Sequence, residues 1–162
     1  APMAAFVGGM MGGLGFAVTE TLGNLVTIAN PWLVLIMARM GTLVMHSLTA
    51  GLVGWGWGQL AAKRPWRLVG AYAGAVAIHG LWNGLAVATV FIGLYFQRTP
   101  QPNTALAAIL GLVMMICLFT FLLLAAACAA GLGLMGYWLR RDGGRQTADD
   151  PPIALATAST LQ

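Results

Sequence analysis

TALAAILGLVMMICLFTFLLLAAACAAGLGLMGYWL, residues 104–139, runs for about 36 residues without a charge or a proline. A bilayer's hydrocarbon needs only about 20 apolar residues in a helix, so this stretch must tilt, kink near Gly131 to Gly136, or protrude. Working outward from it, three more apolar runs appear, at about 4–29, 32–62 and 67–96. The second holds Arg39 and Gly41 early on, which reads as an interfacial helix at about 32–39 followed by a span at about 41–62. The whole chain agrees: 59% of its residues are hydrophobic and 7% charged, against roughly 25% charged in a soluble domain. The expectation is an all-α polytopic transmembrane bundle of about four helices over residues 1–141, with lipid as its solvent.

The net charge is +4, but its eight basic residues lie mostly at the ends of apolar runs and read as topology signals, not as a nucleic-acid surface. Lys63, Arg64 and Arg67 crowd the second connection, and Arg140, Arg141 and Arg145 follow the fourth run; the other connections hold only Arg98 and Arg39. Positive-inside bias then places both termini in the cytoplasm, as expected of a bacterial inner-membrane protein. The outer turns become ANPW and QRTPQPN, where Asn and Pro end helices, and residues 142–162 read as a disordered tail. The start, Ala-Pro-Met, has no basic region ahead of its apolar run, so a cleavable signal peptide is not expected. Cys117 and Cys128 are separated by about 16 Å of helix, too far for a disulfide, and read as buried small hydrophobes. Trp32, Trp66 and Trp138 fall at expected interfaces, whereas Trp55, Trp57 and Trp82 lie deeper. Glycines pair at small-xxx-small spacing as Gly8 with Gly12, Gly54 with Gly58, Gly70 with Gly74, and Gly80 with Gly84, which lets helices approach closely.

Polar groups at membrane depth carry the functional information. Asp142, Asp149 and Asp150 lie in the tail, leaving Glu20 as the one carboxylate within the spans. A charge at a helix centre costs roughly 2.5–3.5 kcal/mol, so Glu20 must be neutral, paired or turned to a wet cavity. Asn24 lies one turn on, on the same face. The second run supplies His46, flanked by Thr42 and Thr49, and the third supplies His79 with Asn83 at i+4. At about 1.5 Å per residue, Glu20 lies about 13 Å below the outer end of its span and His79 about 18 Å above the inner end of its own. In a core about 30 Å thick those depths nearly coincide, with His46 within about 10 Å of them. Three helices can thus point one carboxylate, two imidazoles and one carboxamide at a shared pocket. Taken singly, each has a plainer reading: a packed imidazole, an asparagine acting as helix glue. Arg39, two turns before His46, can snorkel to the surface or reach an anion, and the surface reading is preferred.

These residues resemble a known pattern. GFAVTE, Gly15 to Glu20, is similar to the Phe-x-x-x-Glu motif of the PrsW-type intramembrane proteases, relatives of the CAAX-processing and bacteriocin-processing membrane proteases. RMGTLVMHSLTAGLVGWGWG resembles their next motif, and HGLWNG resembles their His-x-x-x-Asn/Asp motif. The resemblance covers roughly residues 12–90. It implies that Glu20, His46, His79 and Asn83 line a proteolytic pocket in which carboxylate and imidazole activate water and Asn83 stabilises the oxyanion. It also leaves open zinc held by Glu20, His46 and His79 with a free fourth position, although no pair has HExxH spacing. The family's Glu-Glu pair on an upstream helix has no counterpart, because Glu20 is the only glutamate here. The expected function is an intramembrane endopeptidase acting on a membrane-anchored protein. The alternatives are a non-catalytic, protease-derived subunit of a larger membrane complex, a pigment- or haem-binding subunit using His46 or His79, and, last, a proton relay.

Overall fold

The computed structural model describes residues 2–27, 32–99 and 103–149, with side chains for 2–24, 39–99 and 103–143. Four helices account for nearly all of them: α1 Pro2–Thr27, α2 Trp32–Ala61, α3 Pro65–Arg98 and α4 Thr104–Asp149. The all-α architecture expected from the sequence holds, and no strand occurs among the described residues. Three helical stretches, Pro2–Asn24, Pro65–Arg98 and Thr104–Gly143, are long and apolar enough to cross a membrane.

α2 is the fourth helix, and it is the one with a polar interior. The buried polar side chains Thr42, His46, Ser47, Thr49 and Gln59 all belong to it. Such groups are tolerated at membrane depth when turned toward protein, and α2 packs against α1, α3 and α4 alike. It runs unbroken from Trp32 to Ala61, so the interfacial piece expected at 32–39 and the span expected at 41–62 are one helix. A single glycine, Gly41, does not end a helix whose backbone has no better hydrogen-bond partner in lipid, and here the Trp82 ring fills the space beside it.

The connections obey local chemistry. Lys63 takes the left-handed conformation at φ 59 that closes α2, and Pro65 opens α3, where its missing N–H is no loss. At the start of α4 the Asn103 Oδ1 accepts from the backbone N–H of Ala105 at 3.0 Å and of Leu106 at 3.3 Å, a side-chain cap. α4 continues as helix to Asp149, beyond the point at 142 where a disordered tail was expected. Arg140, Arg141 and two glycines cost too little helix propensity, about 1 kcal/mol per glycine, to stop a 46-residue helix. The rest of that expected tail, 150–162, lies outside the described residues.

Helix contacts follow glycine, in a register one residue from the expected one on α1. A Cβ on Gly9 would overlap the Ala50 carbonyl, one on Gly13 the His46 carbonyl, and one on Gly54 the Ala5 carbonyl. These positions hold α1 and α2 at backbone-to-backbone distance. Gly8, Gly12, Gly70, Gly74, Gly80 and Gly84 have nothing within 4 Å, so of the expected pairs only Gly54 with Gly58 lies in a helix contact. On the other side of α2, Met45, Leu48, Trp82 and Cys128 form the core, with Trp82 edge-on to Phe121 at 4.8 Å. Both cysteines are free and buried. Among the described residues α1 and α3 make no contact with each other. They diverge over α2 and leave a groove between them.

Candidate active site

Glu20, three turns from the packing glycine Gly9, projects from the same helix that Gly9 and Gly13 press onto α2. That close approach brings its Oε2 to 3.2 Å from His46 Nε2. The same oxygen pairs with Arg39 Nη2 at 2.5 Å. Arg39 was expected at the surface; it turns inward instead, because a guanidinium one helix away offers the lone carboxylate the neutralising charge that lipid cannot. A second bond fixes it: Arg39 Nε donates to Thr21 Oγ1 at 3.2 Å, while the Thr21 hydroxyl donates to the Ala17 carbonyl at 2.7 Å. Of the three solutions open to an acid at membrane depth, pairing is thus realised, and the Glu20 side chain remains 38% exposed.

His46 is buried to 8% at its side chain. Its ring lies edge-on to two others, Phe16 at 5.0 Å and 71°, and His79 at 5.0 Å and 63°. The spacing of the Phe-x-x-x-Glu motif becomes intelligible here. Phe16 and Glu20 are one turn apart on one face of α1, so the ring and the carboxylate both reach the same imidazole. Sequence reasoning placed His46 within about 10 Å of the depth of Glu20; the contact brings their side chains together. Thr49 bonds back to its own helix, to the Met45 carbonyl at 2.9 Å, and so leaves His46 to α1 and α3.

The groove between α1 and α3 opens beside these rings. It encloses about 700 Å³, and His46 and His79 line it at one end, with Trp57 and Tyr72 at the other. Between them its walls are small: Gly12, Gly13, Ala50 and Gly54. From His46 to Trp57 it extends roughly 16 Å along α2. Glu20 does not line it. Asn83 lies exposed on α3, one turn past His79, and does not line it either. The structure therefore gathers Glu20, His46 and His79 and leaves Asn83 apart. Sequence reasoning missed Thr21, read Phe16 only as part of a motif, and preferred the surface for Arg39. For Arg39 the signal was its place seven residues before His46, on the same face of α2.

Zinc on Glu20, His46 and His79 finds little support in this geometry. No group of three His, Cys, Asp or Glu side chains among the described residues is disposed to hold a metal ion. The carboxylate oxygen nearest His46 already holds a guanidinium, so a metal there would have to displace Arg39. As arranged, with the Glu20 oxygen committed to Arg39, the three side chains do not form a zinc site.

The protein family described as PrsW family intramembrane metalloprotease matches this chain over residues 1–124. Nothing among curated proteins or solved structures matches it.

Proposed function

The chain belongs to the PrsW family of intramembrane metalloproteases, and from that premise we propose that it is an endopeptidase that cleaves a membrane-anchored protein at bilayer depth. The Glu20–His46 contact, set beside His79 at one end of an open groove, is the observation that carries this reading. A carboxylate and an imidazole in hydrogen-bond reach form a unit that can take a proton from water. The groove gives a substrate backbone access to that water, and small walls at Gly12, Ala50 and Gly54 let the backbone come close. Asn83, beyond His79, is assigned to the developing oxyanion of a substrate that extends past the groove. The lipid bilayer is the partner throughout, and the cut falls near the outer half of the membrane if both termini are cytoplasmic.

Purified protein in liposomes, mixed with single-span substrates, tests the reading. Cleavage is expected to fall with Glu20→Gln and with His79→Ala; unchanged cleavage in both variants would refute it. A second reading, a non-catalytic subunit of a membrane complex, draws on Gly70, Gly74 and Gly84, which leave an open small-residue face on α3. Recovery of the protein without any stable partner after mild detergent extraction counts against that reading.

A further inference from the structure

Carboxylate and imidazole are not equivalent in this site, because only the imidazoles line the groove. His46 and His79 line it and Glu20 does not. Glu20 meets His46 from α1, with its side chain 38% exposed against 8% for His46, and its Oε2 is met from two sides, by Arg39 Nη2 and by His46 Nε2. Arg39 is anchored in turn to Thr21, whose own proton is spent on the Ala17 carbonyl. The chain of contacts that starts at the groove runs imidazole, carboxylate, guanidinium, hydroxyl. Glu20 thus has the place of an orienting group, and His46 has the place of the group that meets water.

Resting on the protease reading, we propose that His46 is the proton acceptor and that Glu20 and Arg39 are positioning residues acting through it. The family resemblance implies only that carboxylate and imidazole activate water together; this divides the roles between them. Nε2–H of His46 donates to Glu20, which fixes the ring tautomer and leaves the lone pair on Nδ1. Nδ1 takes a proton from water as the water oxygen bonds to the scissile carbonyl carbon and the carbonyl electron pair moves to its oxygen. The tetrahedral intermediate then collapses and the C–N bond breaks. The proton on Nδ1 passes to the leaving nitrogen. One water is consumed, a carboxyl and an amine are formed, and His46 returns to its starting state. The Phe16 and His79 rings, each 5.0 Å away, hold the imidazole plane during the exchange.

Glutamine at position 20 separates the two assignments. Arg39 Nη2 pairs with one carboxylate oxygen of residue 20 and His46 Nε2 lies in hydrogen-bond reach of the same atom, so glutamine can keep a carbonyl oxygen there and preserve the tautomer, while it can no longer act as a base. His46→Asn is expected to lose roughly 10²–10⁴-fold in kcat. Glu20→Gln is expected to lose only about 10–100-fold at unchanged KM, the scale of an outer partner to a functional histidine. Arg39→Ala follows Glu20→Gln, and Arg39→Lys restores most of the loss. Nitrogen-15 NMR of histidine-labelled protein in nanodiscs reads the tautomer without any substrate: Nε2–H at His46 in the wild type and in Glu20→Gln, mixed tautomers in Glu20→Ala. Glu20→Gln as inactive as His46→Asn, or Nδ1–H at His46 in the wild type, overturns the assignment. Absence of cleavage by the wild type instead refutes the protease reading, and the tautomer measurement still decides the positioning claim.

Discussion

At the scale of single residues, Glu20 shows how a lone acid is accommodated at membrane depth. The penalty for an isolated charge of this kind, roughly 2.5–3.5 kcal/mol, is offset by a guanidinium and an imidazole converging on one carboxylate oxygen. Counting residues at a fixed rise put Glu20 and His79 near one depth, and in the structure each meets the His46 ring. It did not reveal Arg39, since a long side chain can turn either way from the same Cα. Two predictions belong at this scale. Asn83→Ala lowers kcat by about 10²-fold with KM nearly constant if its amide serves the oxyanion, measured as initial cleavage rates. Trp82→Ala, which empties the core beside Gly41 and Phe121, destabilises the fold by about 3–5 kcal/mol in chemical unfolding, with no direct effect on the groove chemistry.

At the scale of elements, the glycine register shows what a linear pattern leaves open. Gly8 with Gly12 and Gly9 with Gly13 are equally good small-xxx-small pairs on paper. They differ by one residue, which is about 100° around a helix, so only one pair can face α2. The structure selects Gly9 and Gly13, and the selection matters because Gly13 rests on the His46 carbonyl. Gly13→Leu is expected to push α1 away, separate Glu20 from His46, and lower both thermal stability and cleavage. Gly8→Leu, with nothing within 4 Å, is expected to leave both unchanged. Parallel melting curves and cleavage rates in liposomes compare them. Equal behaviour of the two variants would count against the contact that builds the site.

At the scale of the whole molecule, function depends on a contact that is missing among the described residues. α1 and α3 both pack on α2 and not on each other, and the groove exists because of that divergence. Filling it tests its use without touching the chemical groups. Gly12→Trp, placed in the wall where a Cβ meets nothing, is expected to raise KM severalfold while leaving Glu20, His46 and the melting temperature undisturbed. An unaltered KM would mean that substrates approach the histidines by another route.

The sequence by itself determined the solvent, the helical class and the chemical inventory. Apolar run length admits only helices in lipid, and three polar side chains at matching depth follow from a constant rise per residue. It also carried enough of an ordered motif set to point to the family. Tertiary structure alone decided that α2 is the central polar helix, that Gly9 and Gly13 form the contact, that Arg39 faces inward, and that Asn83 stands outside the groove. Each of these turns on the azimuth of a helix about its own axis. Azimuth is set by mutual packing of several helices, and a residue's place in the chain fixes its height in the membrane without fixing the neighbour it faces.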